Sequence, residues 1–302
     1  MGLPSWRVGA PFCRLTVAPG GLTMRDFTDR TAFITGGAGG FGRAFAKALL
    51  AEGAKVALAD VDERALARAV EELQAPPGRL LGLGCDASNR SSLEQAAAEA
   101  IRAFGRVHLV FNNAGVGGRS AGLEELTGPD WEWVIRVNLM SVAHGAAVFL
   151  PHLRAHGEGG HFVNTASMAG MLGQPQMGPY SATKAAVVAL SETLFHELKG
   201  TNIGVSVLCP GFAKTGIADD RPNPLAPEAR PVSKAGAERA AQVRLAVQTG
   251  LDPAEVAART LQGIRDDDLY IFTHSDMRPW LDKRLDRIRA AYDKADRFAP
   301  LA

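Results

Sequence analysis

The stretch Thr31-Ala32-Phe33-Ile34-Thr35-Gly36-Gly37-Ala38-Gly39-Gly40-Phe41-Gly42 decides the fold. Residues 31–35 are β-branched or apolar and predict a short buried strand. A glycine run follows at once, and Arg43 to Leu50 reads as a helix. Strand, glycine turn and helix in immediate succession is the context a phosphate-binding loop requires. Glycines let the backbone approach a pyrophosphate, and the free N–H groups at the helix start face it. The run fits two registers. Gly37, Gly39 and Gly42 spell G-x-G-x-x-G, while Thr35, Gly36, Gly40 and Gly42 spell T-G-x-x-x-G-x-G. Pattern alone does not choose between them.

Working outward, a second strand at Lys55–Ala59 ends in Asp60, and a helix is expected from Val61 to Leu73. A carboxylate at that place can accept hydrogen bonds from an adenosine ribose and repel a 2′-phosphate. No Arg or Lys stands at 37–42 or at 61 to bind such a phosphate. Asp60 therefore argues for NAD over NADP. A third strand near Leu80–Cys85 ends in Asp86-Ala87-Ser88, and a fourth at Val107–Phe111 ends in Asn112-Asn113-Ala114-Gly115. Both polar sets fall at the carboxyl ends of expected parallel strands, where open α/β sheets bind ligands. The alternation runs to about residue 272 without a linker, so a single α/β domain with a doubly wound parallel sheet is expected.

The chemistry-bearing pattern lies further on. Tyr180 and Lys184 are four residues apart, and Ser167 precedes the tyrosine by thirteen. Four residues is one helical turn, so the pair shares a face if 179–199 is helical. A free phenol titrates near ~10. A cation about 4–5 Å away, at an effective dielectric of ~20, favours the phenolate by roughly 3–4 kcal/mol. That amounts to about two to three pK units before burial takes some back. Ser167 can then hold the substrate oxygen while the phenolate takes its proton. Taken alone, Tyr-x-x-x-Lys also describes a buried tyrosine beside a snorkelling lysine.

Together these residues resemble the short-chain dehydrogenase/reductase family. The matching pieces are Thr35-Gly36…Gly40-x-Gly42, Asp60, Asp86, Asn112-Asn113-Ala114-Gly115, Asn138, Ser167, Tyr180-x-x-x-Lys184 and Pro210-Gly211…Thr215. They cover about residues 26–272 in family order. The resemblance implies a Rossmann-type fold and selects the Thr35/Gly36/Gly40/Gly42 register, with Phe41 inside it. It implies Tyr180 as the acid/base, Lys184 on the nicotinamide ribose, Ser167 on the substrate oxygen, and Asn138 anchoring a water that relays protons from Lys184. Asp86 and Ala87 would meet the adenine, and Asn112 would lie along the cofactor while Asn113 braces the sheet. Pro210, Gly211, Ala213 and Thr215 would wrap the nicotinamide.

Composition narrows the class. The chain has 302 residues, is 46% hydrophobic and carries a formal net charge of +1. That length can bury one sizeable core, and the charge gives no reason to expect nucleic acid or an anionic membrane as partner. Cys13, Cys85 and Cys209 have no metal or redox spacing, so no metal is expected and a reducing cytoplasm fits. His144, His152, His156, His161 and His196 are scattered and read as surface or helix-end residues. No uninterrupted apolar run is long enough for a secretory signal or a transmembrane span. Residues 1–25 hold three prolines and no acid, and are expected to be a disordered extension, with Met24 the natural start.

Residues 131–154 and 179–199 read as long helices with apolar faces. The family uses this pair as a subunit interface, so a homodimer or homotetramer is expected, although burial within one subunit gives the same periodicity. The segment between Ser167 and Tyr180 must line the site. Its Met168, Met171, Leu172 and Met177, with Phe212 beyond, suit a bulky hydrophobic alcohol or ketone. The Pro-rich stretch of about 215–250 is expected to be an irregular substrate lid. Lid and tail are similar to those of the bacterial NAD-dependent aryl-ether Cα-dehydrogenases. The expectation is an NAD-dependent dehydrogenase of hydrophobic secondary alcohols, aromatic ones included. An NADPH-dependent carbonyl reductase and a catalytically silent dinucleotide-sensing binder are the alternatives.

Overall fold

A computed structural model describes residues 24–219, 222–226, 228 and 232–295. Most of the proposed N-terminal extension lies outside these residues, but its last two belong to the folded body. Met24 packs against the core, and the Arg25 carbonyl accepts from Arg265 Nε at 3.3 Å.

The chain alternates strand and helix. In order come β1 (Thr31–Thr35), α1 (Gly40–Ala51), β2 (Lys55–Asp60), α2 (Glu63–Leu73), β3 (Leu80–Gly84), α3 (Arg90–Phe104) and β4 (Leu109–Asn112). There follow α4 (Gly128–Ile135), a π-helical turn (Arg136–Met140), α5 (Ser141–His156), β5 (Gly160–Thr165), α6 (Met168–Met171), α7 (Gly178–Glu197) and β6 (Ile203–Cys209). The last elements are α8 (Lys234–Gln248), α9 (Pro253–Arg265), β7 (Tyr270–Phe272) and α10 (Arg278–Ala295). All seven strands are parallel, in the order β3-β2-β1-β4-β5-β6-β7. This is the doubly wound, Rossmann-type sheet expected from the sequence.

Strand periodicity divides the core. On β1, Ala32 and Ile34 face α1 and α9, where they meet Phe45, Leu49, Val256 and Leu261. Phe33 points the other way, into the cluster of Leu93, Phe149 and Leu194 from α3, α5 and α7. Its ring centroid lies 4.8 Å from that of Phe149. Because both faces are covered, the strands read as continuous apolar runs and not as alternating ones. Truncating such a buried phenylalanine costs about 3–5 kcal/mol. The order reverses between β1 and β4, and a doubly wound sheet opens its crevice at that point.

Several boundaries differ from expectation for local reasons. α2 starts at Glu63, because Asp62 is its N-cap and accepts from the Ala65 N–H at 2.9 Å. The stretch of about 215–250 is not irregular throughout. Ser233 caps α8 by accepting from Gly236 N–H, and the helix continues to Gln248. The prolines at 222–231 end before that cap, so they say nothing about the residues beyond it. The continuous helical run Gly128–His156 is long and apolar enough to cross a membrane, which reading for an uninterrupted stretch had missed. Its Val134, Val142, Phe149 and Leu153 nevertheless pack into the body of the protein. Val187, Val188 and Leu194 on α7 are likewise buried within this chain. Same-chain burial thus accounts for much of the apolar periodicity of both long helices.

Candidate active site

The loops at the carboxyl ends of the strands enclose a cleft of about 1150 Å³. Its first wall is the turn after β1. Gly36 has φ +63°, a conformation that residues with a Cβ resist. A Cβ on Gly42 would stand 2.3 Å from the Gly36 carbonyl oxygen and 2.7 Å from Gly37 Cα. A Cβ on Gly40 would meet Thr215 at 2.9–3.2 Å. At Gly39 a Cβ would meet only the Gly36 oxygen, at 3.3 Å. A Cβ on Gly37 would meet Leu58 at 2.8–3.0 Å, so the backbone needs glycine at 36, 37, 40 and 42, and the positive φ of Gly36 is what the Thr35/Gly36/Gly40/Gly42 register alone explains. Gly36, Gly40 and Phe41 line the cleft, whereas Gly42 acts beneath it by letting α1 sit against the turn.

Asp60, at the end of β2, supports this wall. One carboxylate oxygen accepts from Ala38 N–H at 3.0 Å and the other from Asp62 N–H at 3.0 Å. Asp60 also faces the cleft. Asp86 and Ala87 stand just beyond β3, next to it in the sheet, where Cys85 N–H donates to the Asp60 carbonyl. Neither lines the cleft.

Of the two asparagines after β4, Asn113 braces the sheet as expected and also borders the cleft, whereas Asn112 does not lie along it. Asn112 is still in the strand and almost fully buried, and its amide donates to Asn164 Oδ1 at 2.8 Å. It lies against α5, where a Cβ on Gly145 would be 1.9 Å from Asn112 Oδ1. Asn113 points to the opposite side, as the next residue of an extended chain must. It lines the cleft, donating from Nδ2 to the Thr35 carbonyl at 2.9 Å and to the Gly36 carbonyl at 3.3 Å. The Thr35 hydroxyl accepts from the N–H groups of Asn113 and Ala114. Asn113 thus closes the switch point between β1 and β4, and Asn112 is a core residue.

The second wall carries the candidate reactive groups. Ser167 is the N-cap of α6 and accepts from Ala169 N–H at 3.1 Å. Tyr180 sits in the first turn of α7, just after Pro179. The Ser167 hydroxyl donates to the Pro210 carbonyl at 3.5 Å and stands close enough to the Tyr180 phenol to influence it. Lys184, one turn later, is buried and donates to the Thr165 carbonyl at 2.7 Å. Its Nζ lies 5.7 Å from the centre of the Tyr180 ring. Burial pushes the Lys184 ammonium down to about 8. Burial raises the Tyr180 phenol above its ordinary value, against the lowering influence of Ser167. Burial, which spacing does not reveal, is thus the main influence on the phenol, while the cation stands near the ring and hydrogen-bonds a carbonyl.

Asn138 lies in the π-helical turn, a distortion common at functional sites. Its amide clamps one backbone unit, accepting from Val116 N–H at 2.8 Å and donating to the Val116 carbonyl at 2.9 Å. It does not line the cleft. A Cβ on Gly115 would stand 3.4 Å from Asn138 Oδ1 and 3.5 Å from Lys184 Nζ, so Asn138 shapes the wall beside the lysine.

Pro210, Gly211, Phe212, Ala213 and Thr215 all line the cleft, as do Met168 and Met177. Met171 instead packs into the cluster of Val142, Val187 and Val207. Sequence reasoning missed the contribution of α8 and the tail: Arg239, Val243, Val247, Met277 and Trp280 also reach the cleft. The signal was present as small or apolar residues at Gly236, Ala240, Val243 and Val247, a helical stripe with Arg239 on its edge.

His156 and His196 stand at helix ends as expected, but other histidines are placed otherwise. His161 is buried on β5 and bonds Ser206 Oγ at 2.8 Å, and burial pushes it down to about 3. His108, His156 and Glu158 bring ligand atoms within 4.8 Å of one another. Thr31 N–H donates to His108 Nδ1, which leaves the other ring nitrogen as the donor to Glu158. His156 accepts from Glu158 N–H through Nδ1 and reaches the Val107 carbonyl through Nε2. Both rings are committed to bracing the amino end of the sheet.

Comparison with known proteins agrees with this geometry. A family model described as short chain dehydrogenase matches residues 30–225. The chain is 37% identical over 273 residues to a C alpha-dehydrogenase of Sphingobium sp. SYK-6, covering 88% of this chain and 87% of that protein. It is 31% identical over 274 residues to a CLA biosynthesis dehydrogenase/reductase of Lactiplantibacillus plantarum, covering 88% and 95%. Among solved structures, a short chain dehydrogenase/reductase from Burkholderia phymatum in complex with NAD superposes with a TM-score of 0.84. The two are 44% identical, over 88% of this chain and 96% of that one.

Proposed function

The chain belongs to the short-chain dehydrogenase family, and we propose that it uses NAD to interconvert a hydrophobic secondary alcohol and its ketone, with Tyr180 as the acid/base. The observation that carries this reading is one cleft lined by the glycine turn, Asp60, Ser167, Tyr180 and Lys184, with Met168, Met177 and Phe212 beside them. Similarity to the Sphingobium C alpha-dehydrogenase supports an aromatic alcohol within that class.

The residues fit a dinucleotide. Side chains at 36, 40 or 42 would fill or distort the turn that a pyrophosphate must approach. A volume of about 1150 Å³ exceeds the roughly 300–1,000 Å³ of pockets for single small ligands. Gly36, Gly40, Phe41 and Asn113 would border the pyrophosphate, and Asp60 the adenosine ribose. Lys184 and Pro210 to Thr215 would hold the nicotinamide end. When bound, the oxidised dinucleotide supplies a hydride acceptor and a positive ring.

The protein's own part is proton handling and exclusion of water. Ser167 donates to the substrate oxygen and orients the carbinol. Tyr180 takes the hydroxyl proton during oxidation and returns it during reduction. Burial keeps the phenol neutral and so able to return a proton in reduction, and positive charge at Lys184 favours phenolate for oxidation. Asn138 acts by holding Val116 and so the wall beside Lys184.

NADP is the less suitable cofactor. Arg43 lines the cleft near Asp60, but its guanidinium is paired with Glu72 at 2.8 Å. The Burkholderia structure with NAD supports the same choice. The test is a panel of secondary alcohols offered with NAD and with NADP, read by absorbance of the reduced cofactor. Oxidation of hydrophobic alcohols with NAD is the expected result. NADH binding with no turnover across the panel would overturn the enzymatic reading in favour of a sensor.

A further inference from the structure

Arg239 reaches from α8 into the substrate end of the cleft. Its Nη2 donates to the Gln174 side-chain oxygen at 3.1 Å and lies 3.4 Å from the Met177 sulfur. Among the described residues, these two neutral atoms are its only polar partners. Its Nε is buried and meets no acceptor. A guanidinium is permanently charged and offers donors along a planar fork. Burying such a donor without an acceptor is costly, and a carboxylate matches the fork with two oxygens.

Its place in the cleft matters as much as its charge. Gln174 and Met177 lie on the segment joining Ser167 to Tyr180. The Gln174 N–H donates to Ser181 Oγ at 3.4 Å, beside the catalytic tyrosine. Met177 is the residue before α7, and Tyr180 follows within one turn, about 5 Å along the axis. A group held at Arg239 and a carbon presented to Tyr180 can therefore belong to one molecule of modest length. Met168, Met177 and Phe212 supply an apolar surface in the same cleft. Asp130, Asp219 and Glu228 line the cleft, but so do Arg119 and Arg244, so it is the planar fork of Arg239, matched by the two oxygens of a carboxylate, that sets the choice.

We infer that Arg239 recognises a carboxylate on the substrate, so that the preferred alcohol is a hydrophobic hydroxy acid with its carboxylate separated from the carbinol by an apolar spacer. The inference rests on the alcohol-oxidising reading of the site, and its test is built to fail separately. With NADH-loaded protein, calorimetry compares 4-acetylbenzoate with its methyl ester, and 4-(4-acetylphenyl)butanoate with its methyl ester. At least one acid should bind tenfold or more tightly than its ester. Arg239→Gln should bring acid and ester within twofold by weakening the acid at least fivefold more than the ester. Arg239→Lys should keep part of the preference. Equal or absent binding of acid and ester in the wild type overturns the assignment. An acid preference that survives Arg239→Gln overturns it as well. So does a loss of ester binding equal to the loss of acid binding, which would reduce Arg239 to a structural tether for Gln174. Turnover of the matching alcohols with NAD is measured in parallel. If neither alcohol is oxidised, the reaction assigned above fails for these compounds, while the acid-to-ester binding ratio still decides the role of Arg239.

Discussion

At the dinucleotide end of the cleft the walls are held by backbone. Gly36 keeps a positive φ, Gly42 lets α1 touch the turn, and Asn113 and Asp60 bond main-chain groups of the same loop. At the proposed substrate end the wall is made by side chains from distant elements. α8 buries only Gly236 and Val247, and it is tied down by a few contacts such as Ser233 to Glu125 at 3.0 Å and Arg239 to Gln174. The difference teaches where each function can vary. A backbone cradle accepts one shape and tolerates few changes, whereas a wall of side chains can be rebuilt without touching the sheet. Tyr180 and Ser167 sit where the two ends meet.

The largest effect should come at that meeting point. Tyr180→Phe should lower kcat by about 10²–10⁴, the usual contribution of a positioned acid/base. NADH affinity by fluorescence should change little, because the cofactor end is independently built. A variant with near-wild-type turnover would remove Tyr180 from the mechanism, and one that loses NADH binding would break the separation of the two ends.

Next is the cradle itself. Gly42→Ala places a Cβ 2.3 Å from the Gly36 oxygen, which is backbone and cannot step aside. Overpacking of this kind costs about 1–3 kcal/mol. A fall of several degrees in melting temperature and at least a tenfold weaker NADH Kd are expected. Unchanged values for both would show that the turn is not rigid.

Stability against acid should depend on the core below the cleft. His161 has a folded pKa near 3, below its ordinary 6.5, so between those values the unfolded chain binds the extra proton. Its contribution is therefore intact above pH 6.5 and is lost as pH falls. Between pH 6.5 and 4.5 the loss is roughly 2–3 kcal/mol. Urea unfolding of wild type and His161→Gln at pH 7 and 4.5 measures it, and the variant should lose less. Asp267 lies near the same site, and burial raises its carboxyl, so it titrates in the opposite sense in both proteins. Parallel acid losses in the two would assign the effect to other groups, beginning with the buried His108.

Cofactor choice should move by about tenfold. Asp60→Ala should narrow the NAD-to-NADP ratio of kcat/KM by that factor, about 1.4 kcal/mol. It also removes two acceptors for loop N–H groups, so NAD itself should bind less well. An unchanged ratio would falsify the ribose role and leave Asp60 as a brace of the glycine turn.

The smallest effect is expected in the cap. Val243→Ala should raise KM for a bulky alcohol by a few-fold and leave kcat for a small one, NADH affinity and melting temperature near wild type. A fall in NADH affinity as large as that of Gly42→Ala would mean the two ends are coupled.

The cofactor half was largely legible because its requirements are local. Gly36, Gly40 and Gly42 are close in sequence, and strand, turn and helix follow one another with no long-range choice to make. Tyr180 and Lys184 were legible for the same reason, being one turn apart on one helix. Asn112 and Asn113 show the limit. Which of two neighbours faces the cleft depends on a one-residue strand boundary, and a shift of one reverses the direction of both side chains. The phenol shows another limit, since charge proximity can be read from spacing but burial cannot. Arg239 was missed because the prolines of residues 222–231 concealed the helix that follows, and because its neighbour Gln174 is 65 residues away.

The amino-acid sequence by itself determined the parallel α/β order, the glycine register once joined to its family, and the Ser167, Tyr180 and Lys184 set. Each follows from backbone sterics or helical spacing within a few residues. The tertiary structure alone decided which asparagine borders the cleft, that the Tyr180 phenol is buried and raised, and that α8 brings a guanidinium into the cleft. Those outcomes depend on what surrounds a side chain after the sheet has closed its layers. Burial and long-range neighbours are properties of the packed chain as a whole.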